Sequence, residues 1–93
     1  MDIKDNELLR HFETPTDFGL LVIEYALQDR KIFLTKLNEP DNIGSDYVED
    51  FLKKVLTIAE ERKLKVVPTN PKIAHFFRKN PVYKELLPPG IKL

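Results

Sequence analysis

The run Ile32-Phe33-Leu34-Thr35-Lys36-Leu37, followed by Asn38-Glu39-Pro40-Asp41-Asn42-Ile43-Gly44 and then by Ser45-Asp46-Tyr47-Val48, decides the architecture of this chain. Alternating apolar and polar residues from Lys31 to Leu37 predict a strand, and Pro40, Asp41, Asn42 and Gly44 supply the turn chemistry after it. A helix is expected to begin near Ser45. On a helical wheel Tyr47, Val48, Phe51, Leu52, Val55, Leu56, Ile58 and Ala59 fill about half the circle, so this helix packs one face on a sheet. A strand that passes through a polar, glycine-containing turn directly into a helix presents free backbone N–H groups and the positive end of the helix dipole to an anion.

On the N-terminal side, Phe18 to Leu27 reads as a strand. Leu21, Ile23, Tyr25 and Leu27 form its core face, and Leu20, Val22, Glu24 and Ala26 its half-polar face. Gln28-Asp29-Arg30 interrupts the pattern and predicts an antiparallel hairpin with Lys31–Leu37. Further back, the weak alternation from Leu8 to Glu13 suits a strand at the sheet edge, and Thr14-Pro15-Thr16-Asp17 reads as a loop. On the C-terminal side, Leu64 to Val67 suits a central strand. Asn70 caps a second helix with Pro71 as its first residue and Ile73, Phe76 and Phe77 as its buried stripe. Asn80-Pro81 ends that helix, and Val82 to Leu93 is a tail that docks through Tyr83, Leu86 and Leu87. The order predicts one mixed α/β (α+β) domain over residues 1–93, with a mostly antiparallel sheet, two packed helices and a late βαβ-like crossover.

Fifteen Lys+Arg balance 15 Asp+Glu, which argues against a general nucleic-acid or membrane-surface binder, since both need a basic excess. Lys72, Arg78 and Lys79 cluster on the second helix, the one feature that favours a nucleic-acid partner. Without cysteine there is no disulfide, thiolate metal site or cysteine nucleophile. The charged start Met1-Asp2-Ile3-Lys4-Asp5 leads into no apolar stretch, so the expected location is the cytoplasm. A core this small makes homodimerisation a reasonable expectation. His11 and His75, both read as solvated, have no Glu or His at metal-ligand spacing, and no metal site is expected.

Leu21-x-Ile23-x-Tyr25, Pro40 in the turn, Leu52 to Ala59, Leu64-Lys65-Val66-Val67-Pro68 and Phe77-x-x-Asn80-Pro81-x-Tyr83, taken in order, resemble the minimal single-domain acetyltransferases of the GNAT superfamily over residues 20 to 87. The resemblance implies a GNAT-like fold and an acyl-CoA-dependent N-acyltransferase that moves acetyl from acetyl-CoA to an amine by direct attack. That branch carries His-Thr-x-Val-Pro at the strand end, which falls on Lys36-Leu37-Asn38-Glu39-Pro40, so only the proline is kept. Its glycine turn falls on Ile43 to Val48. Gly44 is kept, while Ile43, Asp46 and Val48 replace an arginine or glutamine, a glycine and a small residue. The branch's cysteine falls on Asn70.

By the same resemblance Asn42, Ile43, Gly44, Ser45, Asp46, Tyr47 and Val48 would hold the acetyl-CoA diphosphate through backbone amides. Leu37 and Asn38 would pair with the pantetheine amides, and Ala74 and Phe77 would flank the pantetheine arm. Glu24, a carboxylate on an otherwise apolar strand face, is the candidate base, and Asn70 a second candidate catalytic residue. The readings of Glu24 that remain open are a base, a cross-strand partner of Lys36 and a solvated position.

Asp46-x-x-Glu49 is also a capping-box pattern, in which the Asp46 carboxylate would take the first-turn amides and weaken cofactor binding. A catalytically inactive module for protein interaction or self-association is therefore the alternative function. A gap between the strands ending at Leu37 and Val67 would favour the cofactor cleft. Asp46 bonded into the helix start, with aromatics closing the gap, would favour the module.

Overall fold

The computed structural model describes residues 1–93 as five strands and two helices: β1 (Lys4–Asn6), β2 (His11–Thr16), β3 (Gly19–Gln28), β4 (Lys31–Asn38), α1 (Ser45–Glu61), β5 (Lys65–Pro68) and α2 (Pro71–Lys79). A 3-10 turn, Pro81–Leu86, follows α2 in the segment read as a plain tail. The strands lie in the order β1-β2-β3-β4-β5, antiparallel except for the β4–β5 pair, which α1 connects as a parallel crossover.

The β3–β4 hairpin turns on Asp29 and Arg30, whose φ values of 51° and 61° are those of a type I′ turn matched to the twist of the strands. The first strand differs from its sequence reading. Residues 7–10 form a turn that leaves Leu8 and Leu9 exposed, and the strand runs on from His11 through Pro15 to Thr16. Proline is tolerated because β1 pairs with β2 only as far as Glu13, so no neighbour on that side calls for a donor from Pro15. The edge is instead β1, three residues too short to show a period. β5 also lies at an edge, not in the centre.

Between β3 and β4 the register shifts: Glu24 opposes Lys36, but Tyr25 opposes Leu34, so Thr35 is an extra residue in β4. This bulge inverts the alternation. Ile32 and Leu34 face the helices, Lys36 faces away, and Leu37 returns to pack against the core. Leu27, expected in the core, is 44% exposed because it lies near the hairpin end.

α1 buries Val48, Phe51, Leu52, Val55, Leu56 and Ala59, an i, i+3, i+4 stripe laid on Leu21, Ile23 and Leu34. Tyr47, placed on the same half of the wheel, is 40% exposed. The helix ends in a Schellman motif: Leu64 N donates to Ala59 O (2.9 Å) and Lys63 N to Glu60 O (3.0 Å), with Lys63 at φ 59°. α2 contributes Ile73, Phe76 and Phe77 to the core, and Tyr83, Leu86 and Leu87 dock the tail there. At the far end of the sheet the Tyr25 hydroxyl donates to Asp5 (2.6 Å), which also pairs with Arg62 (2.8 Å), clasping β1 to β3 and to the end of α1. Burial and the Asp5 carboxylate push the Tyr25 phenol above its ordinary value. No helix is long and apolar enough to cross a membrane.

Candidate functional site

Parallel pairing of β4 with β5 runs from Lys31–Lys65 to Leu34–Pro68 and stops there. The Leu34 carbonyl closes the ladder by accepting both the Thr69 amide and the Thr69 hydroxyl, each at 3.2 Å. β4 continues to Asn38 while the other chain turns away into α2, so the backbone of Thr35–Asn38 has a strand neighbour on the β3 side only. An unpaired strand edge is a template for any extended ligand with amide groups of its own.

The divergence opens a cavity of about 360 Å³ between the end of β4, the start of α1 and the exposed face of α2. Leu37, Val48, Leu52 and Phe76 make its apolar floor, and Glu39, Ser45, Glu49, Lys72, His75 and Lys79 its polar rim, with Pro71 beside them. Phe76 forms a wall, buttressed by Phe77 (ring centroids 6.4 Å apart) and Tyr83 (5.6 Å). Two ion pairs span the rim: Lys72 Nζ with Glu39 Oε2, and Lys79 Nζ with Glu49 Oε1 at 3.5 Å.

At the start of α1 the capping residue is Gly44, and no side chain accepts from the first turn. Asp46 lies inside the helix with its carboxylate exposed, so the capping-box expectation is not met. The Tyr47 and Val48 amides reach Gly44 O at 3.1 and 3.4 Å, which leaves the Ser45 and Asp46 amides without a protein acceptor. A Cβ built on Gly44 would meet nothing within 4 Å, so the capping position itself is open.

Of the residues singled out in the sequence, Leu37, Ser45 and Val48 line the cavity, whereas Asn38, Asn42, Ile43, Gly44, Asp46, Tyr47, Ala74 and Phe77 do not. Phe77 is fully buried in the core, and its neighbour Phe76 takes the cavity position. The missed lining residues are Glu39, Glu49, Leu52, Pro71, Lys72, His75, Phe76 and Lys79. The i, i+3, i+7 spacing of Lys72, His75 and Lys79 puts them on one polar face of α2, but only the tertiary arrangement turns that face across the cleft.

Asn70 caps α2, its Oδ1 accepting from Lys72 N (2.9 Å) and Ile73 N (3.2 Å). Glu24 lies on the sheet face away from the helices, opposite Lys36 in register, and accepts from Asn38 Nδ2 at 3.0 Å. His11 is not solvated as expected. It is half-buried between Glu13 (Nδ1 to Oε1, 3.8 Å) and Glu24 (Nε2 to Oε1, 3.9 Å) on that same face. No three His, Asp or Glu side chains converge in a way that could hold a metal.

No protein-family model matches the sequence, and no curated protein does. Among solved structures, the solution structure of a GCN5-like putative N-acetyltransferase from Staphylococcus aureus superposes with a TM-score of 0.75, covering 98% of this chain and 90% of that one at 24% identity. This chain therefore has the GNAT-like fold that its sequence resemblance implied.

The donor set suits acetyl-CoA in three respects. An unpaired β4 edge can meet pantetheine amides, uncapped α1 amides can meet a diphosphate, and an apolar floor can take the methylene-rich arm. The rim carboxylates oppose an anion, but each is already neutralised by a lysine.

Proposed function

We propose that this protein is an acyl-CoA-dependent N-acyltransferase that transfers acetyl from acetyl-CoA to an amine. The observation that carries the reading is the divergence of β4 from β5 beyond Leu34, directly beside a helix start whose first amides are free. The fold shared with a GCN5-like protein adds independent support. Bound acetyl-CoA would supply the activated acyl thioester.

The chain's own residues bind and orient. The Thr35–Asn38 edge fixes an extended amide-bearing arm, the Ser45 and Asp46 amides take negative charge, and Leu37, Leu52 and Phe76 exclude water from the arm. Glu24, held by Asn38 at the free end of β4 on the sheet face away from the helices, is the proposed acceptor of the proton of an amine that approaches from that face. Asn70, whose side-chain oxygen is occupied by two backbone amides, acts as a positioning residue for α2.

Isothermal titration of acetyl-CoA into the purified protein, followed by an acetyl-transfer screen over primary amines, tests the reading. Saturable binding and transfer are expected, and absence of binding overturns it. Glu24→Gln should leave acetyl-CoA affinity unchanged and lower kcat by on the order of a hundredfold or more.

A further inference from the structure

Three ion pairs in this chain do not involve histidine, and two of them cross the same cleft. Glu39 follows β4 and Glu49 lies one turn into α1, while Lys72 and Lys79 both belong to α2, so each pair joins walls distant in sequence. The carboxylate side chains are partly sheltered, at 24% and 36% exposure, and the lysines are the freer partners, at 70% and 56%. The lysines can therefore swing to a new partner while the acids stay at the rim. Across an apolar floor a second anion would be drawn to the same two ammonium groups.

We propose that Glu39 and Glu49 are built-in competitors for the two lysines that bind the anionic part of the cleft's ligand, so that binding proceeds by exchange of carboxylate for phosphate at Lys72 and Lys79. The ligand class this selects carries phosphate groups on an apolar, extended arm. A neutral arm without phosphate gains nothing from the exchange. The inference takes the ligand's identity from the acyl-CoA reading, but its test does not depend on that reading.

The test titrates inorganic pyrophosphate, and separately acetyl-CoA, into the unmodified protein, Glu39→Gln/Glu49→Gln, and a control, Glu7→Gln/Glu61→Gln, which changes net charge equally away from the cleft. The cleft variant should bind pyrophosphate on the order of tenfold tighter than the control at low salt, an advantage that salt reduces. The Lys72 and Lys79 side-chain NMR signals should move on titration. Lys72→Gln/Lys79→Gln should abolish the response, and this variant keeps the proposal falsifiable if the paired glutamate variant does not fold.

Equal pyrophosphate affinity in the cleft variant and the control, or lysine signals that do not move, overturns the proposal. A pyrophosphate gain with no acetyl-CoA binding by any form upholds the exchange and overturns the acyl-CoA reading. Acetyl-CoA binding by every form without a pyrophosphate gain does the reverse.

Discussion

The two helices begin on the same cavity, through Ser45 and Pro71, yet their first turns are finished in opposite ways. At α2 every early donor is accounted for. Pro71 has none, Asn70 Oδ1 takes those of Lys72 and Ile73, and the Ala74 amide reaches Asn70 O at 2.9 Å. At α1, Gly44 offers no side chain, its Cβ position is open, and two amides have no protein acceptor. The lapse is local, because the other end of α1 is sealed by a complete Schellman motif. The start of α2 and the end of α1 are thus finished with the protein's own atoms, whereas the Ser45 and Asp46 amides at the start of α1 are not, and under the acyl-CoA reading these are the donors left for the ligand.

The largest test concerns what holds α2 in place. Nine residues are too few for a helix to stand without tertiary packing, so its cap must be secondary to its buried ring. Phe77→Ala, at a fully buried position, should cost about 3–5 kcal/mol in chemical denaturation. A cost below that of removing the cap would reverse the order of importance argued for the two. Removing the cap itself, by Asn70→Ala, should cost about 1 kcal/mol. The loss should show as faster amide hydrogen exchange at Lys72 and Ile73, with the start of α1 unchanged.

The sealed end of α1 offers a gain of similar size. Lys63 adopts a left-handed φ of 59° that a side chain disfavours, so Lys63→Gly should raise stability by about 1 kcal/mol. A loss would mean that the lysine stem contributes packing that outweighs its backbone strain.

The parts of this architecture that were legible in the sequence are those with a period or a dedicated local signal. Phe18–Leu37 showed as a hairpin, α1 as a wheel, and α2 through Asn70-Pro71, because in each case neighbours in sequence carry the information. β1 was too short to have a period, and Pro15 disguised a strand that is unpartnered there on its β1 side only. The bulge was detectable in principle. Leu34 and Leu37 are three apart, so both can face the core only if one residue between them is extra.

Only the strand–turn–helix side of the site was legible. Leu37, Ser45 and Val48 came from the strand–turn–helix passage, whereas the α2 wall depends on a tertiary juxtaposition that no local pattern encodes. Asp46 misled because a capping box needs the carboxylate at the residue before the first turn, and the helix starts two residues earlier than that pattern requires.

The finest test supplies at Gly44 the cap that α1 lacks. Gly44 already has extended backbone, φ −74° and ψ 148°, and a side chain there meets no neighbour, so Gly44→Asp introduces no strain. Its carboxylate would accept from the first-turn amides and place negative charge at the positive end of the dipole. Relative to glycine the gain is only about a few tenths of a kcal/mol, a small rise in melting temperature. The same carboxylate would occupy the space in front of the donors assigned to the diphosphate, so acetyl-CoA affinity should fall on the order of tenfold or more. Stability and binding should thus move in opposite directions from one substitution. A rise in melting temperature with unchanged acetyl-CoA affinity would show that the free amides lie outside the ligand's path, and the contrast between the two helix starts would then lose its functional meaning.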